Sequence, residues 1–285
     1  MKTTKKTYDL AFSLGSTCAV SQSLREAGLQ FASYPMDWTA SPGVVEAAQI
    51  VADDFAHWLD ADDLKLWDVR HGAGFCTRIY KNMRTGFGFS HEFSDFERFA
   101  VTYPKVKATY ERRIARFRER LESASNVLAV YNELPIRSAA SDETLVRARD
   151  VLRAKCPKAA IDLVYFWAEP GAKSPRERVV AEGVVSVGLD YRKFDAGEVT
   201  HFVERGGFTA WLKARAEVRD PRDAEDRAHF EAVQAKTGLW RWGYGKSAFR
   251  RWLNHRAYKL YRSLERFLQK RGMVQKEGPL WFVDK

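Results

Sequence analysis

Three apolar runs parted by helical stretches, all within residues 126–189, constrain this chain more than any other feature. Val127-Leu128-Ala129-Val130-Tyr131 is the first and Ile161-Asp162-Leu163-Val164-Tyr165-Phe166-Trp167 the second. Val184-Val185-Ser186-Val187-Gly188-Leu189 is the third. Between the first two, Ser141 caps a helix through Leu145, Ala148, Val151 and Leu152 that stops before Pro157. A short helix around Arg176 to Ala181 is expected between the second and third. Strand, helix, strand, helix, strand is the order of parallel βαβ units, because a parallel neighbour is reached only through a crossover. The fold class is therefore α/β: a mostly parallel sheet flanked by helices.

The chain opens in the same way. Tyr8 to Leu14 reads as a short strand, Gly15 breaks it, and a helical pattern starts at Cys18 with Val20, Leu24 and Leu29 on one face. Ligands of open parallel sheets bind beyond the carboxyl ends of the strands. Cys18, Asn132, Glu133, Glu169 and Asp190 each follow a strand, so a parallel sheet gathers them along one edge. Cys18 also stands in the first turn of a helix, where backbone N–H groups lack intrahelical partners and the helix dipole is positive. Such a setting favours a thiolate and supplies donors to an oxyanion. The competing assignment makes Cys18 a small buried apolar residue.

Elsewhere, Ser33 to Trp38 is turn-rich, and Ser41-Pro42-Gly43 opens a helix through Val44, Val45, Ala48, Ile50 and Val51. Phe55, Trp58 and Leu59 extend its apolar face. Residues 64–89 are irregular, with short strands expected at Thr77–Tyr80 and Gly86–Phe89, and His91 follows the latter. Pro104 is expected to open a helix with a stripe of Val106, Tyr110, Ile114, Phe117 and Leu121. Beyond Gly207 the chain reads as helical: Phe208, Trp211 and Leu212 begin one helix, followed by Asp223 to Lys236 and Lys246 to Lys270.

The net charge of +10 sits almost wholly in the tail, since residues 240–271 carry ten Lys or Arg against the single acid Glu265. The organisation expected is an α/β body over residues 1–218 and a helical, basic C-terminal extension over 219–285. An amphipathic basic helix there suits an anionic membrane surface ahead of a nucleic-acid backbone, and plain packing against the body competes with both. Three scattered cysteines form no disulfide framework or zinc pattern, which points to a reducing compartment. With no apolar leader and no run of ~18 apolar residues, the expectation is a cytoplasmic protein, at most peripheral to the inner face of the membrane. His57, His71, His201, His229 and His255 show no metal spacing and are read as structural or solvated, and Cys76 and Cys156 as inert. No cofactor is expected.

The assembled residues resemble a bacterial family described as putative papain-like cysteine peptidases. The resemblance lies in Ser13-Leu14-Gly15, Cys18, Leu24-Arg25, Pro35-Met36-Asp37-Trp38, Phe89-Ser90-His91-Glu92-Phe93 and Arg112-Arg113-Ile114, and covers roughly residues 8–190. It implies a Cys–His hydrolase: Cys18 attacks a carbonyl carbon, His91 moves the proton, and Asn132 or Asp37 orients the imidazole. The Cys18 N–H would help to hold the oxyanion. Asp37 suits pinning the turn before Trp38 better than catalysis, and Asn132 is equally suited to closing a strand end. Two features depart from papain: no Gln precedes Gln22, and the βαβ rhythm differs from papain's antiparallel barrel. The alternative function is a domain that binds or transfers a glycosyl or phosphoryl group on cell-surface polysaccharide precursors. There Gly15, Ser16 and Thr17 hold the anion at the helix N-terminus and Cys18 is structural, although no dinucleotide fingerprint or P-loop Lys accompanies them. The substrate expected is a peptide in the first case and a glycan-type molecule in the second.

Overall fold

The structure, a computed structural model, describes residues 5–72, 75–94, 98–134, 137–190 and 205–220. Its centre is a five-stranded sheet in the order β2-β7-β8-β10-β9. These strands are β2 (Leu10–Ser13), β7 (Asn126–Asn132), β8 (Ala160–Ala168), β10 (Val184–Leu189) and β9 (Arg176–Ala181). β2, β7, β8 and β10 run parallel, in the register Phe12 to Ala129, Ala129 to Leu163 and Leu163 to Val184. Alternation along each strand feeds two cores. Phe12, Val127, Ala129, Tyr131, Leu163 and Tyr165 face one, packed by α2 (Val44–Ala52), α3 (Phe99–Ser123) and α4 (Asp142–Lys155). Ala11, Leu128, Val130, Val164 and Phe166 face the other, packed by α1 (Cys18–Glu26) and α5 (Arg205–Arg215). The α/β class, the parallel strands and the Ser141 cap, whose Oγ accepts from Thr144 N, match the sequence reading.

Four expectations need correction. Residues 176–181 form β9, antiparallel to β10, instead of a helix. Gly183 makes the turn: its φ is +71°, and a Cβ there would lie 2.8 Å from the Ile161 carbonyl oxygen. The tight hairpin leaves no room for a crossover. α3 begins at Phe99, with Pro104 inside it, because Phe99 stacks on Phe93 and Tyr103 donates to the Leu59 carbonyl at 2.7 Å, anchoring the first turn. α2 ends at Ala52, where Asp54 and Phe55 turn left-handed (φ 57° and 58°) and Phe55 N bonds to Ile50 O. Phe55, Trp58 and Leu59 still reach the core from this loop.

The irregular stretch is the fourth, although the strand expected at 77–80 is present and the one at 86–89 is present from Gly88 on. It forms a second, antiparallel sheet of β3 (Thr39–Ala40), β6 (Gly88–Ser94), β5 (Phe75–Asn82) and β4 (Leu64–Gly72), in that order. β1 (Lys6–Tyr8) pairs in parallel with β11 (Ala216–Val218). No helix of the described residues is long and apolar enough to cross a membrane. The helices expected at 223–236 and 246–270 lie outside the described residues.

Candidate functional site

The connection after β2 leaves through α1 on one face of the sheet, while that after the adjacent β7 leaves through α4 on the other. The carboxyl ends of adjacent strands whose connections diverge in this way are where open α/β sheets hold ligands. The sheet does gather the expected residues along one edge. Leu14 N bonds to Val130 O, Glu133 N to Phe166 O, and Glu169 N to Leu189 O, so each post-strand segment steps onto its neighbour. Gly15 to Cys18 and Asn132 to Glu133 therefore stand side by side at the ends of adjacent strands. Farther along the same edge, Glu169 pairs with Arg176 at 2.6 Å.

Cys18 is delivered by a sharp elbow. Gly15 N bonds to Ser13 Oγ at 3.0 Å, then Gly15 (φ 88°) and the non-glycine Ser16 (φ 76°) both turn left-handed. Such a conformation at Ser16 stores about 1–2 kcal/mol. Thr17, extended, caps α1 by accepting from Ala19 N at 3.3 Å, and Cys18 becomes the first helical residue. The first turn of α1 holds no acidic side chain to compete for its N–H groups. Cys18 is half-buried.

Asp37 is fully buried, and its Oδ2 accepts from Gln30 Nε2 at 2.7 Å, Tyr34 N at 2.9 Å and Arg25 Nη2 at 3.0 Å. Burial pushes its carboxyl above the ordinary range, opposed chiefly by Arg25. The Ser21 hydroxyl lies 3.2 Å from the Cys18 carbonyl and 2.9 Å from the Asp37 carbonyl, so one side chain joins the nucleophile candidate to the residue before Trp38. Trp38 is flanked by the Arg25 guanidinium at 5.5 Å and meets the exposed His91 ring edge-on at 6.0 Å. His91 opens onto a groove of about 500 Å³ against α3, and Cys18 is not among the residues lining that groove. Below it, Glu92 accepts from Tyr110 Oη at 2.8 Å with Arg113 Nη1 at 3.5 Å, and burial raises its carboxyl.

Asn132 closes β7 opposite Phe166 and is buried, as is Glu133. Burial lifts the Glu133 carboxyl, while Leu134 N, Arg137 and the Tyr165 hydroxyl at 3.2 Å favour its charged form. Tyr165 stacks on Tyr131 with centroids 5.8 Å apart, and the Tyr131 hydroxyl lies 3.3 Å from Ser41 Oγ. Burial pushes the Tyr131 phenol up to about 12, so it stays protonated. Arg137 donates to Pro42 O at 2.7 Å, tying the loop after β7 to the turn before α2. Tyr131, Tyr165, Ser41 and Arg137 form contacts around these strand ends that sequence reasoning did not single out. A tyrosine near the end of each of two adjacent apolar runs was the available signal.

Among the described residues, His57, Asp60 and Asp63 offer ligand atoms within 4.8 Å of one another. His57 is bonded to Asp60 at 2.7 Å and Asp63 to Arg84 at 2.8 Å, so a metal would displace two existing ion pairs.

A family model described as "Putative papain-like cysteine peptidase (DUF1796)" matches residues 9–164, which run from β2 into β8. An uncharacterized protein of Acanthamoeba polyphaga mimivirus is 27% identical over 138 residues, 44% of this chain and 61% of that protein. The chain thus spans about three fifths of the length of the curated relative it matches. A viral relative leaves the expected confinement to bacteria unsupported. No solved structure matches the chain.

Proposed function

We propose, since this chain belongs to the family of "putative papain-like cysteine peptidases", that it is a cysteine-dependent hydrolase of amide or ester bonds. The observation that carries the reading is the elbow that sets Cys18 at the first position of α1, at the carboxyl end of β2. The Cys18 thiolate attacks the carbonyl carbon, forming a C–S bond and an oxyanion that the Cys18 N–H helps to hold. His91, protonated when it took the thiol proton, returns that proton to the leaving amine or alcohol. Water then attacks the thioester, His91 accepts its proton and restores it to the departing sulfur, and the acid product is released. The contact between Trp38 and His91, with Ser21 linking Cys18 to Asp37, supports His91 as the base. Three partners already occupy Asp37 Oδ2, which favours Asp37 as the pin of this turn over a role in orienting the imidazole.

Iodoacetamide labelling of each cysteine, followed by peptide mass spectrometry at neutral pH, tests this reading. Cys18 should react about tenfold or more faster than Cys156, whose thiol burial holds above its ordinary value. His91→Ala should remove most of that advantage. Equal rates at Cys18 and Cys156 would reject the hydrolase. The second reading, glycosyl or phosphoryl binding by Gly15-Ser16-Thr17, is favoured by the acid-free first turn of α1. It predicts thermal protection by nucleotide-sugars that survives Cys18→Ser.

A further inference from the structure

Three helices stop at one end of the sheet and leave a hollow there. α2 ends at Ala52, where Asp54 and Phe55 turn left-handed. α4 ends at Lys155, two residues before Pro157, which cannot continue a helix. α3 supplies Leu121 and Glu122 from its last turn. Ala124 and Ala159, just ahead of β7 and β8, complete the lining. The resulting pocket measures about 490 Å³, within the roughly 300–1,000 Å³ of small-molecule sites. It lies at the amino ends of the strands, about 20 Å along β7 from the edge that carries Cys18.

The interior is apolar. Val51, Phe55, Phe117 and Leu121 line it, and Phe117 meets Phe55 edge-on with centroids 5.6 Å apart, which fixes the aromatic wall. Arg118 donates to Asp54 Oδ1 at 2.6 Å and closes one side as a neutral pair. Cys156 adds a half-buried sulfur, and burial holds its thiol above the ordinary value, so it stays uncharged. The remaining charges, Lys155, Lys158 and Glu122, are exposed at the mouth. Among the described residues none of these three side chains is held in a hydrogen bond or an ion pair. Two cations against one acid leave one positive charge unanswered. Helix C-termini carry partial negative charge, which keeps a carboxylate out of the hollow and favours it beside the lysines.

We infer that this pocket binds an amphiphilic monocarboxylate of the fatty-acid class, with its hydrocarbon in the hollow and its carboxylate beside Lys155 and Lys158. The site stands apart from the thiol chemistry proposed above and does not depend on it.

The test uses the full chain, titrated calorimetrically with octanoate, octylammonium, octan-1-ol and acetate at neutral pH. Labelling of each cysteine by N-ethylmaleimide, a neutral reagent, reports where the probe sits. Octanoate should bind and slow labelling of Cys156 while leaving Cys18 unaffected. Acetate should bind about a hundredfold more weakly or worse, and octylammonium more weakly than octanoate. Lys155→Gln combined with Lys158→Gln, both at exposed positions, should weaken octanoate about threefold and leave octan-1-ol unchanged. Ala159→Phe, at a half-buried position, fills the hollow and should abolish binding of all three octyl compounds. If circular dichroism shows that this variant does not fold, the lysine pair decides. Equal affinity for octanoate and octylammonium would overturn the inference, as would octanoate binding indifferent to the lysine pair. Protection of Cys18 in place of Cys156 would overturn it, and so would a full chain that binds no octanoate.

Discussion

Replacing Asp37 with alanine separates a structural pin from a catalytic carboxylate. The substitution removes the acceptor of three donors at a fully buried position and leaves the Arg25 guanidinium, only 19% exposed, without its carboxylate. Breaking one side of a buried ion pair costs about 3–5 kcal/mol. At about 2–4 °C per kcal/mol for a domain of this size, the melting temperature should fall by about 6–20 °C. Asp37→Asn keeps one acceptor oxygen and should cost less, about 1–3 kcal/mol. Circular dichroism melts and urea titrations of both variants supply the numbers, and the Cys18 labelling rate is measured well below each transition. A pin predicts two destabilised proteins whose folded fraction labels at the wild-type rate. An alanine variant that melts within about 2 °C of wild type would refute the burial argument. An asparagine variant of wild-type stability with slow Cys18 labelling would return Asp37 to the catalytic group.

Glu92 gives a pH prediction. Burial holds its folded-state value above the ordinary 4.5, so the folded chain binds that proton more tightly than the unfolded chain. Its contribution to stability is complete below the unfolded value and is lost as pH rises through the raised folded value. Glu92→Gln should therefore flatten the fall in urea midpoint as pH rises above the ordinary value of 4.5, and parallel profiles would contradict it. Gly183→Val should destabilise by about 1–3 kcal/mol, since its Cβ would press on the Ile161 carbonyl at a left-handed φ; an unchanged melting temperature would show that the hairpin yields. For the basic tail, deleting residues after Lys236 should abolish co-sedimentation with anionic liposomes, and equal sedimentation of both forms would end the membrane proposal.

The parts of the fold that were legible in sequence are those governed by local signals. Apolar runs of strand length, the Ser141 cap and the Gly15 break identify β2, β7, β8, β10, α1 and α4 without tertiary information. β9 was misread because Arg176, Glu177 and Arg178 look like a charged helix face; they are tolerated as an exposed edge strand, and only the hairpin at Gly183 makes them one. The antiparallel sheet was hidden for a related reason. Leu66 and Trp67 stay 48% and 63% exposed on β4, so the alternation that announces a half-buried strand is absent. At the site, the strand-end positions of Cys18, Asn132 and Glu133 followed from topology alone. The contact of His91 with Trp38 and the stacking of Tyr131 on Tyr165 depend on register between distant segments, which no local pattern encodes.

Because the helices after β2 and β7 depart on opposite faces, the two sides of this strand-end edge belong to segments far apart in the chain. A break between Ser123 and Asn126, where α3 hands over to β7, would leave the thiol elbow on one fragment and Asn132 with Glu133 on the other. Co-expressed halves would then bring these two segments together only as far as they reassemble, which makes this protein a natural scaffold for a split reporter read out by Cys18 labelling.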